Sequence, residues 1–291
     1  MSKPTRIPSS FLGPLRPAAR LTKHLLQREP PAPGALLPAA DLDVGMGAVA
    51  RVLRYVQPEL RHVERVPAGG ALLTGNHSLM GVDSFALYPL LWQQLGRLPR
   101  GLADRALFTL PSAARAFGRI GAVPGDPQAA VELLQQGELC LVYPGGSAES
   151  FKDPDQRYQL FWNERFGFAK VAMRAQVPVV PVMAAGPDHA YRFLFRERWL
   201  ARRLVGQGKA RYDFPLSLGL GMLPLPVKFT YEIGEPIAPP TGAHLADDPA
   251  AVAAFHQKVW RTCQAQLDRL VAEWHSQTSG TADRLARRFA G

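Results

Sequence analysis

One histidine and one aspartate stand six positions apart in a polar segment that follows a short apolar run. The segment reads Gly75-Asn76-His77-Ser78-Leu79-Met80-Gly81-Val82-Asp83. Because a glycine lies between them, the carboxylate of Asp83 can fold back onto one imidazole nitrogen of His77. Such a contact fixes the imidazole tautomer and leaves the other nitrogen free to take a proton from a hydroxyl. The pair predicts a general base whose nucleophile is supplied by the substrate.

The same segment also has a purely structural interpretation. Asn76 and Ser78 are common turn residues, and Asp83 could cap the helix that follows, which would make His77 incidental. However, a polar cluster between a strand and a helix is where open α/β sheets place their sites. This segment alone leaves both interpretations open.

A second polar, glycine-rich segment follows another apolar run. Tyr143-Pro144-Gly145-Gly146-Ser147-Ala148-Glu149-Ser150 comes at the end of a strand predicted at 138–143. Paired glycines let a substrate approach the backbone and can aim N–H groups at a developing oxyanion. A tight turn would explain the same glycines. Because two predicted strands end in such loops, the two segments together favour a catalytic site.

Helix and strand patterns alternate along the chain. Strands are predicted at 63–66, 71–74, 138–143, 177–183 and 227–233, and helices at 44–56, 83–95, 127–136, 167–175 and 249–274. Repeated helix–strand units favour an α/β fold with a central, mostly parallel or mixed sheet that helices cover on both faces. We expect a basic, Pro/Ala-rich arm at 1–43, a single domain at 44–275 and a basic tail at 276–291.

Composition limits the classes of partner. The chain has 291 residues, 47% of them hydrophobic and 20% charged, which is ordinary for a protein with a sizeable core. Its formal net charge of +10 favours anionic partners such as lipid headgroups, nucleic acid or coenzyme A. The two cysteines are far apart and in no metal-like spacing, so neither a metal site nor a disulfide framework is expected.

The two polar segments together resemble the glycerolipid (lysophospholipid, PlsC-like) acyltransferase superfamily, which carries an H-x4-D motif. The resemblance is closer to its diacylglycerol acyltransferase and phytyl ester synthase-like branch. There the motif has one extra residue, as in His77 and Asp83, and the second block reads P-G-G-x-x-E, as in Pro144–Glu149. Further similar segments lie at 162–170, 177–182 and 234–237, so the resemblance covers about residues 60–240.

The resemblance implies a glycerol-3-phosphate acyltransferase-like fold and transfer of a fatty acyl group to a lipid hydroxyl without an acyl-enzyme. The donor would be an acyl thioester, acyl-coenzyme A or acyl carrier protein, with no tightly bound cofactor and no metal. His77 would be the base and Asp83 its orienting partner. The residues expected to bind substrate are Asn76, Ser78, Pro144, Gly145, Gly146, Ser147, Glu149, Arg165 and Lys170.

Two departures from the family pattern bear on the acceptor. Members that use phosphate acceptors carry P-E-G-T-R in the second block, where the arginine pairs with the phosphate. Here Gly145 stands at the glutamate position and Ala148 at the arginine position, and the block 121–125 also lacks an arginine. Losing two guanidinium groups favours a neutral acceptor such as a glyceride or a long-chain alcohol. A lysophospholipid or glycerol phosphate acceptor is the alternative.

The segment 192–211 combines apolar residues with arginines and suggests contact with a membrane. Read as a helix, it would place apolar side chains beside a stripe of arginines, which suits an anionic membrane surface. The residues expected to make this contact are Arg192, Phe193, Arg196, Trp199, Leu200 and Arg203. A solvated basic helix packed on the sheet is the alternative. No run of about 18 apolar residues is present, so we expect a peripheral protein on the cytoplasmic, inner face of a membrane.

Two rival functions can be weighed from the sequence. A serine hydrolase using Ser147 would need the elbow G-x-S-x-G, but the segment Gly145–Glu149 ends in glutamate. The high positive charge would also suit a nucleic-acid-binding protein. No helix-turn-helix, zinc or RNA-binding signature is visible, and no nucleic acid partner is expected.

Overall fold

The computed structural model describes residues 36–103, 108, 114, 118, 121–195, 216–218 and 224–288 of the chain. In chain order, its strands are β1 (Glu59–Arg61), β2 (Ala71–Thr74), β3 (Arg100–Ala103), β4 (Val123–Pro124), β5 (Leu139–Val142), β6 (Val179–Ala185), β7 (Arg192–Phe195), β8 (Leu216–Leu218) and β9 (Thr230–Ile233). Strands β7 and β8 form a small antiparallel sheet, and the other seven form one large sheet.

The large sheet is mixed, and its spatial order is β1-β9-β6-β2-β5-β3-β4. Strand β2 lies at its centre and pairs in parallel with both β5 and β6. Strand β9 runs antiparallel to β6, whereas it pairs in parallel with β1. The predicted α/β fold with a mixed central sheet is therefore confirmed.

Helices cover both faces of this sheet. They are α1 (Ala39–Leu53), α2 (Val82–Leu95), α3 (Pro127–Gln135), α4 (Gly146–Ser150), α5 (Gly167–Ala175) and α6 (Pro249–Arg288). Successive residues of a strand point to opposite faces, so Leu72 packs with α3, α5 and α6, whereas Ala71 and Leu73 pack with α1 and α2. The apolar core is thus divided by the sheet into two layers, as the continuous apolar character of β2 requires.

Helix ends follow the local sequence. Helix α3 begins where the Asp126 carboxylate accepts a hydrogen bond from the backbone N–H of Ala129, with Pro127 in the first turn. Helix α2 ends at Gly96, whose positive φ of 65° closes the last turn. The strands and helices predicted between Ala71 and Ala175 are therefore present, with bounds that differ by a few residues.

The strand predicted at 63–66 is wrong. Val63–Arg65 is a 3₁₀ turn, and the strand of this region is β1, which ends before His62 enters the left-handed region at φ 61°. The turn is closed by i to i+3 bonding, in which the backbone N–H of Val66 donates to the carbonyl of Val63.

The helix predicted for the segment 192–211 is also wrong over its first four residues. Residues 192–195 are strand β7, with Arg192 opposite Leu218 of β8. Aromatic residues favour strands, and this segment has two of them in four positions. The membrane-contact candidates Arg196, Trp199, Leu200 and Arg203 lie outside the described residues. Within the described part of the chain, no helix is long and apolar enough to cross a membrane.

Replacement of one core side chain on α5 should destabilise the fold measurably. Met173 is 0% exposed and belongs to the apolar layer that α5 forms with α3 and α6. Met173→Ala should therefore lower the free energy of unfolding by about 2–5 kcal/mol. The matched control is Arg174→Ala at the neighbouring position, because the exposed ion pair of Arg174 with Asp247 contributes less than about 1 kcal/mol to stability. Denaturant titration of both variants measures the difference, and equal losses would contradict this packing.

Candidate active site

The two polar segments meet at one edge of the sheet. Strands β2 and β5 are parallel neighbours, so the loops that leave their carboxyl ends start side by side. The backbone N–H of Gly75 donates to the carbonyl of Val142 at 3.4 Å, which continues the pairing into the loops. This edge is where open parallel sheets place their sites. The structure thus brings together the segments that the sequence analysis combined.

The predicted contact between His77 and Asp83 is present. Imidazole Nδ1 lies 3.0 Å from Asp83 Oδ2, and the aspartate is 1% exposed. Gly81 adopts φ 66° between them, a left-handed turn that brings the start of α2 back towards the histidine. Asp83 lies inside the first turn of α2, which has no side-chain cap. Its carboxylate is therefore used for the histidine and not for capping.

Asp83 is held as a buried anion. Its Oδ1 accepts hydrogen bonds from the backbone N–H and the hydroxyl of Ser78, at 3.1 and 2.7 Å. Burial alone would raise the pKa of Asp83, but the imidazole of His77 and the Ser78 donors together hold that pKa below its ordinary value. The carboxyl group is therefore charged at neutral pH.

The charge of Asp83 in turn acts on His77. Burial lowers the pKa of His77, whereas the charge of Asp83 and its hydrogen bond raise that pKa. The raising effects together are larger, so the net shift of the His77 pKa is upward. The contact places the neutral imidazole's proton on Nδ1, which leaves Nε2 as the acceptor. Among the described residues no hydrogen bond engages Nε2, and the side chain is 21% exposed. This geometry suits a general base.

Tyr143 fixes the plane of the imidazole. The two rings stack with centroids 4.2 Å apart and an interplanar angle of 14°. The Tyr143 hydroxyl accepts a hydrogen bond from Ser84 Oγ at 2.9 Å, which ties the ring to the helix that carries Asp83. The sequence analysis did not identify Tyr143 as a site residue. Its only sequence signal is its place at the start of the second polar segment, separated from the paired glycines by one residue.

Glu149 turns inward, away from solvent. It is 0% exposed, its Oε1 accepts from the backbone N–H of His77 at 2.7 Å, and its Oε2 accepts from the N–H of Phe161 at 3.2 Å. Burial raises the pKa of Glu149 to about 7. With both oxygens engaged by backbone, this carboxyl positions His77 and has no exposed surface for substrate.

The paired glycines serve this arrangement. A Cβ at Gly145 would lie 1.8 Å from Glu149 Oε2, so no larger residue fits there. Gly146 adopts φ 53°, and its N–H donates to the carbonyl of Tyr143. That N–H is therefore engaged in the turn and is not free for an oxyanion.

Three further candidates, Asn76, Arg165 and Lys170, differ in their relation to the site. Asn76 is buried, and its amide exchanges hydrogen bonds of 3.0 and 2.8 Å with the backbone of Ala184 on β6, a structural role. Arg165 is exposed and its Nη1 donates to the buried Pro144 carbonyl at 3.3 Å, so it does lie at the second loop. Lys170 lies exposed on α5, and no described hydrogen bond or ion pair joins it to the site.

Ser147 lies on the short helix α4, and its carbonyl accepts from the N–H of Phe151. No described hydrogen bond connects its hydroxyl with His77, whose Nδ1 is engaged by Asp83. Within the described ranges, no group of three His, Cys, Asp or Glu side chains could hold a metal ion. The groups placed for chemistry are therefore the imidazole and its carboxylate.

Comparisons with known proteins match the part of the chain that contains the two polar segments. The Acyltransferase family model matches residues 57–185. A mouse protein named "DGAT1/2-independent enzyme synthesizing storage lipids" is 31% identical over 182 residues, which are 62% of this chain and 52% of that protein. An uncharacterized protein of Mycobacterium bovis is 33% identical over 225 residues, 75% of this chain and 63% of that protein. This chain thus spans about half the length of the mouse relative.

One solved structure has a similar fold. The 1-acyl-sn-glycerophosphate (LPA) acyltransferase, PlsC, from Thermotoga maritima matches with a TM-score of 0.50 over 91% of this chain and 93% of that chain. The two sequences are 14% identical over the match. At that identity the likeness concerns the fold alone.

Removal of the Asp83 charge should lower the pKa of His77. In Asp83→Asn the amide oxygen can still accept from Nδ1, but burial then acts without the charge that opposes it. Histidine NMR titration should show the His77 pKa falling below that of the unmodified protein. Asp43→Asn, which removes a carboxylate bound to Trp92 outside the site, should leave the His77 titration in place. An unchanged His77 pKa in Asp83→Asn would rule out the electrostatic coupling.

Proposed function

We propose that this chain, whose residues 57–185 match the Acyltransferase family model, transfers a fatty acyl group from a thioester to a lipid hydroxyl. The single observation that supports this most is the 3.0 Å contact between His77 Nδ1 and the buried Asp83 carboxylate. It leaves the second imidazole nitrogen as a base beside a partly exposed surface. A hydroxyl nucleophile needs such a base at neutral pH.

The proposed reaction has two proton transfers and no acyl-enzyme. His77 Nε2 takes the proton of the acceptor hydroxyl while that oxygen attacks the thioester carbonyl. Asp83 stabilises the resulting imidazolium through Nδ1. The tetrahedral intermediate then collapses, the carbon–sulfur bond breaks, and the leaving thiolate takes the proton from Nε2. The products are an ester and a free thiol, and His77 returns to its neutral form.

The proposed donor is acyl-coenzyme A or an acyl carrier protein. Both are strongly anionic, and the formal net charge of +10 favours their encounter with this chain. Arg165 is a cation at the second loop and is exposed to solvent. It could meet a phosphate of either substrate.

The proposed acceptor is a neutral lipid alcohol at a membrane surface. The absence of arginines at position 148 and in 121–125 removes two phosphate-binding groups of the family pattern. The mouse relative's name refers to storage lipids. Attachment to the cytoplasmic face of a membrane is supported by the positive charge. Helix α2, which carries Asp83, and helix α1, which packs against it, also have exposed apolar side chains. They are Val44, Val52 and Phe85.

Arg165 favours a second candidate acceptor. Its guanidinium comes from outside the second block but contacts the Pro144 carbonyl, so it could replace the arginine missing at Ala148. In that case a lysophospholipid or glycerol phosphate would be the acceptor, and the chemistry at His77 would be the same.

His77→Ala should abolish most acyl transfer, because a general base contributes about 10²–10⁴-fold to rate. Ser147→Ala, which removes only a hydroxyl from the neighbouring loop, should keep most of the activity. The assay uses purified protein, labelled acyl-coenzyme A and a panel of lipid acceptors. The reverse pattern, with Ser147 essential and His77 dispensable, would favour the hydrolase instead.

The acceptor itself can be decided by direct competition. Diacylglycerol and a long-chain alcohol should be acylated faster than lysophosphatidic acid when each is offered in the same mixed micelles. Any effect of Arg165→Ala on the donor is common to all acceptors, so the preference for the neutral acceptors should remain in this variant. If lysophosphatidic acid is preferred, and Arg165→Ala removes that preference, the second candidate acceptor is correct.

A further inference from the structure

Both polar backbone groups of His77 are held by buried, ionisable side chains. Its N–H donates to Glu149 Oε1 at 2.7 Å, and its carbonyl accepts from Lys152 Nζ at 3.2 Å. Both side chains follow the paired glycines within seven positions. Lys152 is 6% exposed, so its charge has been taken almost entirely out of water. The backbone of His77 therefore lies between the carboxyl group of Glu149 and the ammonium group of Lys152, which both come from the segment after β5.

The ammonium of Lys152 is fixed by a second partner. Asp188 Oδ2 lies 2.7 Å from Nζ and also accepts from the backbone N–H of Tyr158 at 2.9 Å. Asp188 belongs to the 3₁₀ turn Pro187–His189, shortly after β6, which is the other neighbour of β2. The ion pair thus connects the ends of the strands on both sides of β2.

A buried ion pair is weak evidence for stability by itself. Desolvation of two charges offsets most of their attraction, and apolar residues of similar volume often serve a core as well. Lys152 does something that an apolar residue could not do, because its ammonium donates a hydrogen bond to the backbone carbonyl of His77. This contact gives the pair a role in the placement of His77.

We propose that Lys152, held in place by Asp188, is a positioning residue that sets His77 for acyl transfer by binding its carbonyl oxygen. The proposal rests on the proposed function of His77 as a base. Asp83 and Tyr143 fix the imidazole, while Glu149 and Lys152 fix the peptide from which it extends. A displacement of 1 Å at a reacting group can cost about 10²-fold in rate.

Lys152 also leaves an electrostatic signature on His77. Four groups surround the imidazole or its peptide: Asp83 on α2, Glu149 on α4, Lys152 after α4, and the Tyr143 ring at the end of β5. Burial and the Lys152 charge lower the pKa of His77, whereas Asp83 and Glu149 raise it. Loss of the Lys152 charge should therefore raise the His77 pKa and shift the acid limb of the rate profile to higher pH, because only the neutral imidazole accepts a proton.

The experiment compares three variants of the full chain. Lys152→Met removes the ammonium but leaves Asp188 buried and unpaired, which could unfold the protein. The double variant Lys152→Met with Asp188→Asn removes both charges, and the amide oxygen of Asn can still accept from Tyr158. Arg100→Met is the matched control, since Arg100 is another mostly buried cation paired with an acid, Glu138. It lies opposite Cys140 near the start of β5, whereas the second loop follows the end of that strand. Circular dichroism selects the folded variants.

For the double variant, kcat should fall about 10–100-fold with little change in KM, and the His77 pKa should rise in an NMR titration. Arg100→Met should leave both the His77 pKa and the ratio of kcat to KM in place. A folded double variant with kcat within twofold of the unmodified protein and an unmoved His77 pKa would overturn the proposal. If the unmodified protein transfers no acyl group to any acceptor, the proposed function fails, whereas the NMR titration still decides whether Lys152 acts on His77.

Discussion

The site depends on one buried negative charge, the carboxylate of Asp83. An unpaired carboxylate at 1% exposure would protonate, and a protonated acid could not orient or stabilise an imidazolium. Two donors from Ser78 and the imidazole of His77 keep it ionised. These donors lie in place only while Gly81 reverses the chain and β2 holds the loop at the edge of the sheet, so the fold at this edge is a condition for the proposed chemistry.

The second loop mainly holds His77 in place. Its paired glycines had suggested instead a loop that binds the substrate. Gly145 makes room for the Glu149 carboxyl, and Gly146 closes the turn. The Tyr143 ring lies against the imidazole, and Glu149 binds the N–H of His77. Because β2 and β5 are parallel neighbours, these contacts follow from strand pairing. A residue whose backbone and ring are both held needs little reorganisation when it takes a proton.

Sequence patterns predict most of this fold and the local half of the site. Apolar runs and helical periods locate β2, β5, α3 and α5, and the spacing of His77 and Asp83 suffices to predict their contact. The short strand β1 was missed because its pairing partner, β9, is far away in sequence. The two valines that follow β1 suggested a strand through their β-branched side chains, although they lie in a 3₁₀ turn. Lys152 and Asp188 were missed for a related reason, since 36 positions separate them along the chain and only the pairing of β2 with β5 and β6 brings both to His77.

In the proposed function, the place of the acid in the second block bears on both the choice of acceptor and the positioning of His77. In the P-E-G-T-R pattern the acid and the arginine lie close together in one loop, and the arginine pairs with a phosphate. Here the acid has moved into the interior, where its carboxylate occupies the space that a side chain at position 145 would need. A phosphate-binding arginine at Ala148 would then be adjacent in sequence to a buried carboxyl whose two oxygens already bind backbone. The inward acid and the missing arginine therefore support the proposal that this loop holds the base, while other parts of the protein select the acceptor.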